Sequence, residues 1–283
     1  MASVASDASV ASVTLIIDGS YYIFHRFFAT LRWFSHQLEA GAPTNAICDN
    51  EEFMQGFYRH ATADFQKLKR LYECDRVLFC VDCPRAEIWR TALYPVYKGS
   101  RVLSSGFDGR IFPKFYQYLF KTHKDIEVYG GKNLEADDCA YLLSKTVAAD
   151  ADAIVVISND NDYLQMKSDK IRIFNLAGDD ICKRGSGDAA KDLMIKCLMG
   201  DKSDNIPPAC PGIGPKTAAK LCEMNEVDRK AWLIKKGGQA SIETLQRNTV
   251  LIDWTCIPSD LSPLKIVQGD ENYIKTCGDK FME

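Results

Sequence analysis

Between residues 13 and 174, short runs of β-branched and aliphatic residues alternate with longer amphipathic stretches, and this alternation restricts the fold more than any other feature of the chain. The runs at 13–17, 76–81, 126–129, 153–157 and 170–174 are strand-sized and mostly apolar at successive positions. Strands of that kind are buried on both faces, the condition of a parallel sheet covered by helices on each side. Helical spacing is read over 51–72, 109–122, 134–148 and 188–199, so the pattern predicts an α/β fold with a mostly parallel sheet flanked by helices. Ligands of such sheets collect at the carboxyl ends of the strands. After about residue 190 the strand signal gives way to short helical patterns punctuated by Gly212, Gly214, Gly237 and Gly238. The expected organisation is a disordered tail over 1–12, a core over 13–190 and a helical region over 191–283.

With 283 residues, 46% of them hydrophobic and 26% charged, the chain can bury a sizeable core, which excludes disorder as its main state. It has no uninterrupted apolar stretch near the roughly 18 residues that a membrane span requires, so no membrane partner is expected. Residues 1–12 lack the cationic start of a secretory signal. Eleven cysteines, an odd number scattered mostly through apolar runs, fit reduced core thiols in an intracellular protein better than a disulfide framework.

Acidic residues fall where the strands end. Asp18 directly follows 13–17 and Asp82 directly follows 76–81, while Glu135, Asp137 and Asp138 open the helix after the third strand and Asp160 and Asp162 leave the fourth. Asp201 and Asp204, three apart, add a further pair. A lone Asp after a strand is usually a cap or turn former, but the repetition along one edge changes the weighing. Two carboxylates ~4 Å apart repel by about 1 kcal/mol in water and about 4 at an effective dielectric of 20. Nine converging acids therefore call for cations, and short-armed Asp with one Glu suits Mg²⁺ or Mn²⁺. The four histidines show no ligand spacing, and Cys80 and Cys83 form a Cys-x-x-Cys without a second pair, so zinc is not expected. The formal charge of −3 hides this concentration: with those nine acids set aside, the balance of 35 basic against 38 acidic side chains turns positive, as an enzyme acting on a polyanion requires.

Cations and aromatics follow Asp82: Arg85, Trp89, Arg90, Tyr94, Tyr97, Lys98 and Arg101. Arg90, Lys98 and Arg101 are candidates for phosphate pairing and Tyr97 for base stacking; Trp89 alone among the tryptophans is a second stacking candidate. Further on, Gly212-Ile213-Gly214 precedes Pro215, Lys216 and Thr217 at a helix start, where backbone amides and the positive end of the helix dipole can receive a phosphate. Residues 260–283 carry no legible motif, and Lys265 and Lys275 read as solubilising.

Together these residues resemble the 5′ nuclease family of flap endonucleases and 5′-3′ exonucleases, which includes the amino-terminal nuclease domain of bacterial DNA polymerase I. The matching stretches are Ile17-Asp18-Gly19-Ser20, Val81-Asp82 with Tyr94-Pro-x-Tyr97-Lys98-x-x-Arg101, Glu135-Ala-Asp137-Asp138, Asp160-x-Asp162-x-x-Gln165, and Gly200-Asp201-x-x-Asp204-Asn205-Ile206-Pro207 with Gly212 to Ala218, covering about 13–255. The resemblance implies a PIN-like core with a helix-three-turn-helix module on duplex backbone, and an activity in replication or repair. Two Mg²⁺ ions are implied, with Mn²⁺ able to substitute: Asp18, Asp82, Glu135, Asp137 and Asp138 would hold the first, and Asp160, Asp162, Asp201 and Asp204 the second. Lys98 and Arg101 would act on the phosphate beside Asp137, and the loop over 206–214 would carry a potassium ion. Here that loop, Pro207-Pro208-Ala209-Cys210-Pro211, is one residue longer than usual, and the arch region over 102–113 is short. DNA flaps, 5′ ends or junctions are the expected partners of a monomer. RNA-DNA hybrids, as in RNA primer removal, and a non-catalytic junction-binding role stay open at this point.

Overall fold

The structure, a computed structural model, describes residues 11–37, 44, 46–101 and 106–268. Residues 1–10 of the expected tail, 102–105 of the arch region and 269–283, with Lys275, lie outside these. Strands β1 (Val13–Asp18), β2 (Arg76–Cys80), β3 (Ile126–Gly130), β4 (Ala153–Ile157), β5 (Ile171–Phe174) and β6 (Leu264–Ile266) form one sheet in the order β5-β4-β1-β2-β3-β6. All pairings are parallel except β3 with β6.

Side-chain alternation along β1 explains why its apolar run is unbroken. Leu15 and Ile17 face one core with helices α1 (Gly19–Phe34), α2 (Glu51–Tyr72) and the later α4, while Ile16 faces another, so both faces are covered. Helix α3 (Trp89–Leu93) follows β2, α4 is Ile111–Thr122, and α5 (Ala136–Lys145) packs Cys139, Ala140 and Leu143 into the second core. The sequence reading names no helix between 19 and 34. Seven aromatic rings in α1 blur its helical period, and its start is fixed instead by Asp18, whose carboxylate caps the Tyr21 N–H.

Helices α6 (Ala189–Met199), α7 (Pro215–Glu223), α8 (Glu226–Gly237) and α9 (Gln239–Ile252) build a smaller core around Leu198, Leu221, Leu233 and Ile242. The longer loop is absorbed inward: Ala209 and Cys210 are buried in that core, and the Ala209 N–H donates to the Leu198 carbonyl at 2.9 Å. The region after 190 is not helical throughout as expected. β6 returns to the sheet edge, where Lys265 meets Glu127 at 2.8 Å instead of serving only solvent.

Candidate active site

Strand order switches at β1: its parallel neighbours are β2 on one side and β4 on the other, so the connections leave to opposite sides and open a crevice at the carboxyl ends. Asp18 closes β1 there. Its Oδ1 accepts the Tyr21 N–H and its Oδ2 accepts the Ser158 hydroxyl just beyond β4, each at 3.0 Å. Asp82 accepts the Ala136 N–H at 2.8 Å and the Ser20 hydroxyl, so the first turns of α1 and α5 aim it. Glu135 caps α5, and ligand atoms of Glu135, Asp137 and Asp138 lie within 4.8 Å of one another.

Proximity shows in the protonation equilibria. Burial, reinforced by Asp82 and Asp160, pushes Asp18 up to about 6 against the pull of the Tyr21 and Ser158 hydrogen bonds. Burial, then Glu135 and Asp138, raises Asp137 well above the carboxylate range despite Lys98 and Arg90.

A second group forms around Lys196 of α6, whose ammonium contacts Asp162 and lies 2.8 Å from Asp201. Burial raises Asp162 to about 6 although Lys196 opposes it. Burial also works upward on Asp201, but there Lys196 and Ser203 prevail and hold it at about 2. Asp160 is exposed beside them and accepts the Asp162 N–H at 2.9 Å. A cavity of about 410 Å³ opens against this group, lined by Asp160, Asp162, Asp201, Lys196, Arg184 and Leu193. Asp204, whose N–H donates to the Asp201 carbonyl at 3.2 Å, sends its carboxylate to the Glu135 side. The Tyr97 hydroxyl donates to both Asp204 and Glu135, at 3.2 and 3.0 Å, Lys98 pairs with Glu135 and lies 4.0 Å from Asp204, and Arg101 pairs with Asp204.

Three expected nucleic-acid contacts are corrected. Arg90 is 1% exposed and bound to Asp138 and Glu135, so it cannot reach a phosphate in solution. Tyr97 is buried, its ring turned inward and its hydroxyl committed to the carboxylates, which leaves no face for a base; Trp89 is buried likewise, with Nε1 on Asp138. Lys98, half-enclosed at φ +53°, and the more open Arg101 remain on the site's rim. Gly212 (φ +83°) and Lys216 are at the surface, and Gly214 and the half-buried Thr217 stand at the start of α7, which has no side-chain cap. Lys196 escaped the sequence reading, and Ser20 and Ser158 were given no role in it although Ser20 closes the Ile17 to Ser20 stretch. Their signal was position: Ser20 and Ser158 lie two residues from Asp18 and Asp160, and Lys196 lies five before Asp201.

Carboxylates pushed to about 6 must be ionised to hold a cation, which predicts a pH-dependent response. Protonated Asp18 and Asp162 favour the metal-free fold at low pH, and that contribution is lost as pH rises through 6. The rise in melting temperature on adding 10 mM Mg²⁺, an amount roughly saturating for a millimolar site, should therefore be larger at pH 7.5 than at pH 5.5. Differential scanning fluorimetry at both values checks this, and the histidine contributions cancel in the difference.

Carboxylates gathered at a parallel-sheet edge against lysine and arginine define a class, hydrolases that handle phosphate esters through bound cations. Residues 13–192 match the family model for the 5′-3′ exonuclease N-terminal, resolvase-like domain. The 5′-3′ exonuclease of Bacillus subtilis is 30% identical over 245 residues, 81% of this chain and 77% of that protein. DNA polymerase I of Streptococcus pneumoniae is 29% identical over 224 residues, 73% of this chain and only 23% of the polymerase. Among solved structures, the bacteriophage T5 flap endonuclease, in a pseudo-enzyme-product complex with DNA and metal ions, superposes with a TM-score of 0.61 at 20% identity, covering 95% of this chain and 98% of that one. At that identity the likeness speaks for the fold. The chain belongs to the 5′-3′ exonuclease family. No helix among the described residues is long and apolar enough to cross a membrane.

Proposed function

We propose that this chain is a structure-specific 5′ nuclease that hydrolyses phosphodiesters at 5′ ends, flaps or single-strand/duplex junctions of DNA, in replication or repair. The observation that carries the reading is the meeting of acids from three strand ends, the α5 start and the loop after α6 at one crevice rimmed by Lys98 and Arg101.

The donor set fits hard divalent cations. It consists of carboxylate oxygens, and Asp18, Asp137 and Asp162, raised first by burial and further by neighbouring carboxylates, are groups whose charged form a bound cation would favour. Asp18, Asp82, Glu135 and Asp137 would hold one Mg²⁺, and Asp160, Asp162 and Asp201 a second, with Asp204 between the groups and Mn²⁺ an acceptable substitute. When bound, such a pair supplies Lewis acidity that activates water and offsets charge on the attacked phosphate. The chain's own residues do the remainder. Asp18 and Asp82 are held rigid by backbone N–H groups, so ligand geometry is set before substrate arrives. Lys98 and Arg101 take up charge developing on the non-bridging oxygens. Gly212, Gly214, Lys216 and Thr217 hold duplex backbone at the start of α7, with K⁺ in the 206–214 loop as a further part of the proposal.

A fluorescently labelled 5′ flap incubated with Mg²⁺ should be cut to products carrying 5′-phosphate and 3′-hydroxyl ends; a mobility shift without a cut would sink the reading. Lys98→Ala should slow cleavage about 10²-fold, as loss of one charge-stabilising donor does elsewhere. Matched DNA and RNA 5′ strands then decide between flap processing and removal of RNA from hybrids.

A further inference from the structure

Arg90 is the largest fully buried side chain among the described residues, and it touches three parts of the molecule at once. Its Nη2 and Nη1 fork onto Asp138 at 2.7 and 2.8 Å, Nη1 also reaches Glu135 Oε2 at 3.1 Å, and Nε donates to the Leu251 carbonyl at 2.7 Å. Its guanidinium carbon lies 4.4 Å from the centre of the Trp89 ring. Asp138 is 0% exposed and heavily engaged: Oδ2 accepts Trp89 Nε1 at 3.0 Å and the Glu135 N–H at 3.1 Å besides one arm of the fork, and Oδ1 accepts the other arm. A carboxylate so enclosed has Oδ2 fully taken and Oδ1 facing the guanidinium, so its first commitment is to the buried pair, whose disruption is strongly unfavourable.

Leu251 lies in the last turn of α9, where helix carbonyls lack internal partners and the dipole end is negative. A turn earlier, Asn248 Nδ2 donates to the carbonyls of Cys197 and Pro207, at 3.1 and 2.8 Å, on either side of the loop that bears Asp201 and Asp204. One helix is thus fastened to both carboxylate groups, to Glu135 through Arg90 and to the loop through Asn248.

We propose that Arg90 is a positioning residue, and Asp138 its buttress rather than a metal ligand: together they fix the Glu135 carboxylate and set its distance from the Asp204 loop through α9. The inference rests on the nuclease reading for its purpose but is tested without cleavage. Outer-shell groups of this kind change metal affinity or activity by about 10–100-fold when removed. Arg90→Lys keeps the charge and loses the fork, Asp138→Asn keeps the shape, and Trp89→Phe removes only the indole hydrogen bond. Each is followed by the melting-temperature response to a Mg²⁺ and a Mn²⁺ concentration series, and by affinity for a flap duplex in Ca²⁺.

For Arg90→Lys and Asp138→Asn the midpoint of the metal response should move up about 10-fold or more, with flap affinity within about twofold of wild type and the double variant no worse than the more damaged single one. Trp89→Phe should move it about threefold, and carries the test if the other two do not fold. An unmoved midpoint in Trp89→Phe together with any folded partner variant overturns the proposal, as does a loss of flap affinity in Arg90→Lys with the midpoint unchanged. A wild-type protein that responds to metal but cuts nothing sinks the nuclease reading while leaving this comparison intact.

Discussion

Asp137→Ala should cut a labelled 5′ flap at least about 10³-fold more slowly than wild type under saturating Mg²⁺, while binding the same flap in Ca²⁺ with affinity within a few-fold. The carboxylate is half-buried at the mouth of the crevice, where burial first, then Glu135 and Asp138, raises its protonation equilibrium well above the usual range. Such a group resists ionisation in the metal-free protein, so nothing in the fold needs its charge. Truncating it takes a disfavoured carboxyl out of the cluster, and the metal-free variant should melt no lower than wild type at pH 7.5, with a smaller gain on adding Mg²⁺. Loss of activity with retained or increased stability is the signature of a group kept for chemistry. Turnover at the wild-type rate would remove Asp137 from the mechanism; a matching fall in melting temperature would make its role structural.

Gly19→Ala should fail for the opposite reason. Gly19 joins β1 to α1 between Asp18 and Ser20, and a Cβ there would lie well inside contact distance of the Cys80 carbonyl oxygen and the Phe79 ring. Both neighbours are fixed, one as strand backbone and one in a filled core, so the helix has to move. Overpacking of this kind costs about 3 kcal/mol, a fall of roughly 6–12 °C in melting temperature for a chain of this size. The displacement falls on Asp18, which faces Ser158, and on Ser20, which contacts Asp82, so cleavage should drop with stability. A variant that melts like wild type and cuts normally would show that the junction has slack.

What the sequence revealed and what it hid divide along physical lines. Strand positions were legible because a two-sided parallel sheet needs consecutive apolar residues, and α2 was found at its observed bounds because one face of a long exposed helix must be polar. Helix α1 was not, since a helix of rings such as Tyr22, Phe27 and Phe34 loses the contrast that periodicity depends on. The acids were legible as a set because strand ends share an edge. Their grouping was not: the Asp204 carboxylate engages Tyr97 and Arg101 beside Glu135 while that of Asp201 engages Lys196, a consequence of how the loop after α6 folds back, with Lys98 N–H donating to the Asp204 carbonyl at 2.9 Å. Arg90 shows the sharpest limit. A cation beside aromatics has the same signature whether it faces a phosphate or lies under a carboxylate, and only depth separates the two.

The return of β6 to β3 bears on any attempt to isolate the helical region. With the chain leaving the sheet after β5 and rejoining it beyond α9, that region is tethered at both ends, like a bridge resting on two banks. A truncation after residue 253 would strip the antiparallel partner from Val128 and Gly130 and bare a row of unpaired peptide groups. Such an exposed margin recruits strands from other copies, so the shortened protein should be lost to self-association before any change in its chemistry could be read.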